Sequence, residues 1–293
     1  MNILATIIER KKIEVEERKR LKSISELEKM PLFERETYSL KDSLLDKSKT
    51  GIIAEFKRQS PSKGVINNTS AVADVVTNYV KNGASAVSVL TDEIFFGGSL
   101  NDLMEARNNK ISLLRKDFIT YEYQIIESKA YGADIILLIA ACLSKEDVKS
   151  FSTFAKDLGL NVLLEIHKED ELDHVCDEVD VVGINNRDLK SFKVDLNHSI
   201  ELCKKIPSNK IKISESGIDG VKTIHFLKQN GFSGFLMGEK FMKEKNPGLA
   251  FANFVKELKD VEKKLMFKEV RNENKSLWQQ GSESIERVGK FEN

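Results

Sequence analysis

The sequence predicts an α/β fold: an eight-fold parallel (β/α)8 TIM barrel with an extra N-terminal helical segment. Three observations carry this expectation. From residue 51 onward, apolar runs of strand length alternate with stretches of helical period. Eight such runs fall between Ile52 and Met237, the spacing of a parallel sheet whose strands are joined by helices. Several helical stretches end in a glycine, at Gly83, Gly132, Gly159 and Gly231, where a helix C-cap is expected. A doubly wound open sheet is the competing architecture, but no glycine-rich dinucleotide fingerprint follows the first strand.

In chain order, the first element is a helix with an apolar stripe of Ile3, Leu4, Ile7 and Ile8, continued by Val15. A polar stretch through Ser23, Ser25 and Pro31 ends it, and residues 32–50 read as short helical or irregular structure. The strand-like runs are Ile52–Phe56, Ala86–Leu90, Ile111–Leu114, Ile135–Ala140, Val162–Ile166, Val181–Ile184, Ile211–Ile213 and Phe235–Met237. Helical period and composition mark Ala71–Lys81, Leu100–Asn108, Tyr121–Tyr131, Lys145–Leu158, Leu196–Lys204 and Val221–Gln229. A last helix at about Leu249–Leu265 gives way to a polar stretch that includes Trp278 and reads as a mobile tail. The expected organisation is therefore an N-terminal helical extension over 1–50, a catalytic barrel over 51–265 and a tail over 266–293.

Composition narrows the function classes. The 293 residues carry 46 Lys+Arg against 46 Asp+Glu, so no global field draws nucleic acid or anionic membrane, and an anionic ligand needs a local cluster. Cys142, Cys176 and Cys203 are odd in number, lack metal-ligand spacing and read as reduced thiols of a cytoplasmic protein. Charges interrupt the N-terminal apolar residues, so no signal core is visible, and no stretch approaches the roughly 18 apolar residues of a membrane span.

The stretch Gly51–Gly64 places Glu55 and Lys57 two apart on one strand, hence on the same side, opposite Ala54 and Phe56. Opposite charges on the inner face of a core strand are costly unless paired or turned toward a ligand. Polar residues recur where the other strands end: Lys116, Glu165, Asn185 with Arg187, Glu215 with Ser216 and Gly217, and Gly238 with Glu239. In a barrel these ends converge on one mouth, where active sites of the fold sit. Lys116 shares its side with Leu114 and is expected to point into the mouth, with Arg115 turned away and silent in kinetics. Ser214–Gly217 and Gly238 put glycines in the last two loops, where this fold commonly binds phosphate.

These residues carry a resemblance. Ile53–Gly64 resembles the first-strand signature of indole-3-glycerol-phosphate synthase. The likeness continues, in the family's order, at Ser88–Glu93, Phe96–Ser99, Leu114–Ile119, Leu164–Ile166, Gly183–Leu189, Ser214–Ile218 and Phe235–Gly238. The resemblance implies ring closure with decarboxylation and dehydration of 1-(2-carboxyphenylamino)-1-deoxyribulose 5-phosphate to indole-3-glycerol phosphate, a carboxy-lyase step of tryptophan biosynthesis. It implies Lys116 as general acid, Lys57 as partner of the anthranilate carboxylate, and Glu165 as acid or base in dehydration, with Glu55 and Asn185 in support. It further implies Phe96, Leu137, Arg187 and Glu215 as pocket residues and Ser60, Ser216, Gly217 and Gly238 as the phosphate site. It admits association with other tryptophan-pathway enzymes.

The chemistry asks for such groups independently, because a trianionic substrate needs cations and ring formation needs an acid and a base of separate pKa. No cofactor or metal motif is visible, since the iminium formed on cyclisation takes the electrons released by decarboxylation. Gln59 and Glu239 depart from the pattern, and a carboxylate at Glu239 has to point away from a phosphate. His167, His174, His198 and His225 read as surface residues, and charge runs such as Lys11-Lys12 as solvated faces. The competing functions are another phosphate-binding barrel enzyme, such as the isomerase of the preceding step, or a non-catalytic phosphosugar-binding or scaffolding protein. The isomerase would need a cysteine base at the first strand, where Glu55 and Lys57 stand.

Overall fold

In the computed structural model the eight apolar runs are strands β1 (Ile52–Phe56), β2 (Ala86–Leu90), β3 (Ser112–Lys116), β4 (Ile135–Ile139), β5 (Asn161–Ile166), β6 (Val181–Asn185), β7 (Ile211–Glu215) and β8 (Gly234–Met237). Each pairs in parallel with its neighbour in chain order, and β8 returns to β1 through Ile52↔Phe235, which closes the barrel. The structure describes residues 3–188, 193–265 and 267. The stretch expected to be a mobile tail, including Trp278, lies outside the described residues except for residue 267. Met1–Ala252 forms one compact unit, and in the remainder of the chain residues 253–265 are helical.

Three helices precede the barrel: α1 (Ile3–Leu21), α2 (Ile24–Glu28) and α3 (Leu40–Leu45). Between the strands run α4 (Val72–Lys81), α5 (Glu93–Phe96), α6 (Leu100–Ala106), α7 (Glu122–Ala130), α8 (Lys145–Asp157), α9 (Leu196–Lys205) and α10 (Val221–Gln229), and α11 (Glu239–Met242) follows β8. β5 and β6 are joined through a 3₁₀ turn, Glu169–His174. The glycines after α4, α7, α8 and α10 adopt φ of 87°, 91°, 72° and 91°, the left-handed cap that lets the chain leave each helix and enter the next strand.

Alternation along the strands sorts the barrel interior into levels. Ile53, Leu114, Leu163, Ile213 and Leu236 belong to one buried apolar cluster, and residues two further along share their side of the strand. Two steps on from these five stand Glu55, Lys116, Glu165, Glu215 and Gly238. The interior thus changes from apolar to charged at one level on four strands, while the fifth, β8, presents a glycine. Below it, Leu40 and Leu44 of α3 join the same cluster, so the chain before β1 fills the base of the barrel.

At the other end of that N-terminal segment, α1 departs from the sequence reading. Its buried positions are Ile7, Lys11 and Val15, so a lysine occupies the middle of the stripe. Lys11 is not on a solvated face: it is 1 % exposed, and its Nζ lies 2.9 Å from each of Glu14, Asp92 and Asp117. Asp92 follows β2 and Asp117 follows β3, so this ammonium docks α1 onto the strand ends at the mouth. Burial opposes the charge on Lys11, but Asp117, Asp92 and Glu14 outweigh it and hold its pKa above the ordinary lysine value.

Arg115 is turned away from the mouth, as the strand register requires, but it is not a bystander. It is fully buried, with Nη2 at 3.0 Å from Asp117 Oδ2 and 2.9 Å from Glu127 Oε2, and it donates to Gln124 O and Ser128 Oγ on α7. Thr91 Oγ1 adds a 2.6 Å hydrogen bond to Asp117, and Arg18 of α1 reaches Glu127 at 3.2 Å. Removing one member of such a set leaves buried charge without compensation. Arg115→Met should therefore lower the unfolding free energy by about 3–5 kcal/mol, seen as a fall in the urea midpoint. A loss below about 1 kcal/mol would show that Asp117 and Glu127 are compensated without it.

Candidate active site

The charged level of the barrel surrounds a cavity of about 220 Å³, against about 30 Å³ for one water in the liquid. Every residue singled out from the sequence as a site candidate lines it, from Glu55, Lys57, Lys116 and Glu165 to the loop residues Ser60, Ser216, Gly217 and Gly238. Lys116, at the end of β3, puts its Nζ 2.6 Å from Glu165 Oε2 and 3.3 Å from Glu215 Oε2. β1 carries Glu55 but ends at Phe56, one residue short of the expected strand pair, and Lys57, just past the strand end, puts its Nζ 2.7 Å from Glu55 Oε1. Asn185 Nδ2 donates to Glu165 Oε1 at 3.1 Å, while its Oδ1 accepts from the backbone N–H of Arg187 at 3.0 Å.

Three carboxylates and two ammonium groups meet in this cavity, and burial makes the balance among them uneven. Burial disfavours the ammonium of Lys116, but Glu165, Glu215 and Glu55 outweigh it and raise its pKa well above the lysine value. For Glu165, burial works upward, but Lys116 and His167 and the hydrogen bonds from Lys116 and Asn185 hold the carboxyl below the usual range. Glu215 goes the other way: burial, with the charges of Glu165 and Glu55, pushes it up to about 8 against the pull of Lys116. Its Oε1 has no hydrogen-bond partner among the described residues. The two glutamates facing one lysine thus have separated pKa values, the arrangement that lets one accept a proton while the other holds one.

Two glycines make this packing possible. A Cβ at Gly183 on β6 would overlap Glu215 Oε1, and a Cβ at Gly238 would lie 2.7 Å from Glu55 Oε1. Each inward-facing glycine vacates the space that a neighbouring strand's carboxylate occupies. Gly238 thus has a steric duty toward Glu55 besides any approach to phosphate. After β7, Ser216 and Gly217 take φ of 67° and 68°, two successive left-handed residues that turn the backbone sharply. Buried Asn186 pins that turn, with Nδ2 donating to Ser216 O at 2.6 Å and to Ser214 Oγ at 2.9 Å.

The cavity has an apolar side. Phe96 ends α5, which is capped by Asp92 and terminated at Gly97 with φ of 63°, and its ring centroid is 6.1 Å from that of Phe118. Ile3, Leu4 and Ile7 of α1 complete this wall, and Leu137 of β4 lies in the floor. Arg187 stands at the rim, with Nη2 3.8 Å from Glu239 Oε2, and Lys63 lies 3.7 Å from the other oxygen of that carboxylate. Gln59 instead donates to Ile94 O.

Some residues at the site escaped the sequence reading. Gly183 and Asn186 enter the sequence analysis only inside the Gly183–Leu189 motif, and Ile3, Leu4 and Ile7 only as a helix stripe, none of them as a site residue. Ser88 on β2, level with Glu55, is buried with no partner for Oγ among the described residues. His167 is 7 % exposed, so it is a buried group behind Glu165 and not a surface histidine. The signal for it was its place two residues after Glu165, on the same side of the chain.

The glycine argument is testable through stability. Gly183→Ala should cost about 1–3 kcal/mol of unfolding free energy in urea, and the cost should largely vanish in a Glu215→Ala background. An equal cost in both backgrounds would mean that the added methyl meets something other than Glu215.

Comparison with known proteins places these features. The family model described as "Indole-3-glycerol phosphate synthase" matches residues 4–257. A protein of that name from Bacteroides thetaiotaomicron is 44 % identical over 256 residues, covering 87 % of this chain and 98 % of the relative. One from Salinibacter ruber is 38 % identical over 265 residues, covering 89 % and 98 %. Among solved structures, the tryptophan synthase alpha subunit of Legionella pneumophila superposes with a TM-score of 0.55 at 13 % identity, covering 76 % of this chain and 98 % of that one, a likeness of fold. By sequence along almost the whole barrel, the chain belongs to the indole-3-glycerol phosphate synthase family.

Proposed function

We propose that the barrel mouth closes the indole ring of 1-(2-carboxyphenylamino)-1-deoxyribulose 5-phosphate, giving indole-3-glycerol phosphate, carbon dioxide and water. Membership of the family makes the chain an enzyme of tryptophan biosynthesis, a carboxy-lyase. The observation that carries the residue assignment is the Lys116 ammonium held against Glu165 and Glu215 at the wall of the cavity, with a second lysine just past the end of β1.

The substrate's carboxylate and phosphate suit opposite sides of the mouth. Lys57 is the cation for the carboxylate, and Phe96, Leu137 and the α1 residues suit the aromatic ring. The loops at Ser60, Ser216, Gly217 and Gly238 are assigned to the phosphate, and Arg187 at the rim adds a positive charge. In ring closure the aromatic carbon bearing the carboxylate bonds to the ribulose carbonyl carbon, and Lys116 passes a proton to the carbonyl oxygen. The C–CO2 bond then breaks, and its electron pair flows to the iminium nitrogen and restores the aromatic ring. In the last stage the hydroxyl leaves as water, taking a proton, and the adjacent carbon loses one. Glu165, 2.6 Å from Lys116, can take up and return that proton, and Asn185 keeps its carboxylate aligned.

Incubating the purified protein with the carboxyphenylamino substrate should produce indole fluorescence. Its absence, with the substrate still bound, would favour a phosphosugar-binding protein. Lys116→Met should lower turnover by about 10²- to 10⁴-fold while KM changes little, because a proton donor acts mainly in the transition state. Lys57→Met should also raise KM, since it removes the carboxylate's partner. Near-normal turnover in Lys116→Met would move the acid to another group, with Lys57 the first candidate.

A further inference from the structure

One buried ionisable group beside the cavity has no part in the steps above. His167 follows β5, two residues beyond Glu165, and its backbone is pinned on both sides. Its N–H donates to Glu171 Oε2 at 2.6 Å, and its carbonyl accepts from His198 Nε2 at 2.9 Å. The ring is therefore fixed between two carboxylates. Nε2 lies 3.4 Å from Glu165 Oε1, and Nδ1 lies 3.9 Å from Glu171 Oε2. Neither ring nitrogen makes a hydrogen bond among the described residues, although the side chain is 6 % exposed.

A buried imidazole without a hydrogen bond costs free energy, so it needs a reason to be there. The surroundings supply one. Beside the same two carboxylates stand the Cys142 thiol, pushed up to about 12 by burial and by Glu165 and Glu171 and so uncharged, and His174, whose ring is occupied by Glu171 O and Leu143 O. Glu165 faces His167 on one oxygen and Lys116 on the other. Once Lys116 gives its proton to the substrate it becomes a neutral amine, and Glu165 loses its cation while still buried. A carboxylate left so is costly unless another donor reaches it. His167 Nε2 is within a small movement of Oε1, and such bonds commonly tighten only as the reaction proceeds.

We infer that His167 is a positioning residue for Glu165: it backs the buried carboxylate when Lys116 turns to the substrate. This rests on the proposed role of Glu165, so the test includes that residue. His167→Leu should lower kcat about tenfold, the scale of one hydrogen bond to a charged group, with KM and competition by inorganic phosphate unchanged. His167→Gln, whose amide nitrogen falls near the position of Nε2, should recover most of the loss. The pH limb of kcat that reports ionised Glu165 should move upward in His167→Leu, because one of the groups that hold the Glu165 carboxyl down has been removed. In a Glu165→Gln background, His167→Leu should have little further effect on kcat.

An unchanged kcat in His167→Leu, or an equal loss in both backgrounds, overturns the inference. Normal kcat in Glu165→Gln alone instead overturns the reading of Glu165 on which it rests. If the leucine variant fails to fold, His167→Gln is compared with His167→Asn, whose shorter amide does not reach Oε1. A clearly higher kcat in the glutamine variant supports the inference, and equal values overturn it.

Discussion

The arrangement of the mouth is governed by charge balance in a confined space. Glu55, Glu165 and Glu215 face Lys57 and Lys116 in one cavity; with all five ionised, the three negative charges exceed the two positive by one. An excess charge away from bulk water is expensive, and the protein answers by keeping a proton rather than by adding a cation. Glu215, squeezed between burial and two like charges, is where that proton resides near neutrality. The same imbalance suits an anionic ligand, because a site that already holds a proton does not confront the ligand with its full negative charge.

Holding such groups in place requires a rigid frame, and β3 provides it by having two faces with different duties. Lys116 projects into the mouth, while Arg115 and Asp117 on either side of it turn outward into a buried ionic set shared with α1 and α7. Lys11 of α1 closes that set, and Ile3, Leu4 and Ile7 of the same helix line the cavity. One helix at the start of the chain therefore both walls the site and braces the strand that carries its central lysine. The same chain segment fills the barrel's base through Leu40 and Leu44.

Much of this was legible in the residues alone. β1 and β2 run from Ile52 to Phe56 and from Ala86 to Leu90, as their apolar runs indicate, because buried parallel strands bounded by turn signals leave little freedom. The strand-end residues could be named because alternation and the barrel's geometry together specify which side chains meet. What stayed hidden depends on partners distant in sequence. Lys11 looks like a surface charge until Asp92 and Asp117 are brought to it, and Arg115 looks idle until α7 covers it. Gly183 contributes an absence, the missing Cβ beside Glu215, which no local pattern marks. His167 is the local exception: its place two residues after Glu165 is the signal, and its burial shows once Glu171 folds back onto it.

The protonation of the glutamates tests the central claim most directly. Side-chain carboxyls labelled with carbon-13 can be followed by NMR across pH, with Glu55→Gln, Glu165→Gln and Glu215→Gln supplying the assignments. Charge balance in the mouth predicts that Glu215 titrates at about 8, while Glu165 stays ionised to well below the ordinary carboxylate range. Titration of Glu215 near the unperturbed value of about 4.3, or protonation of Glu165 before it, would contradict the account.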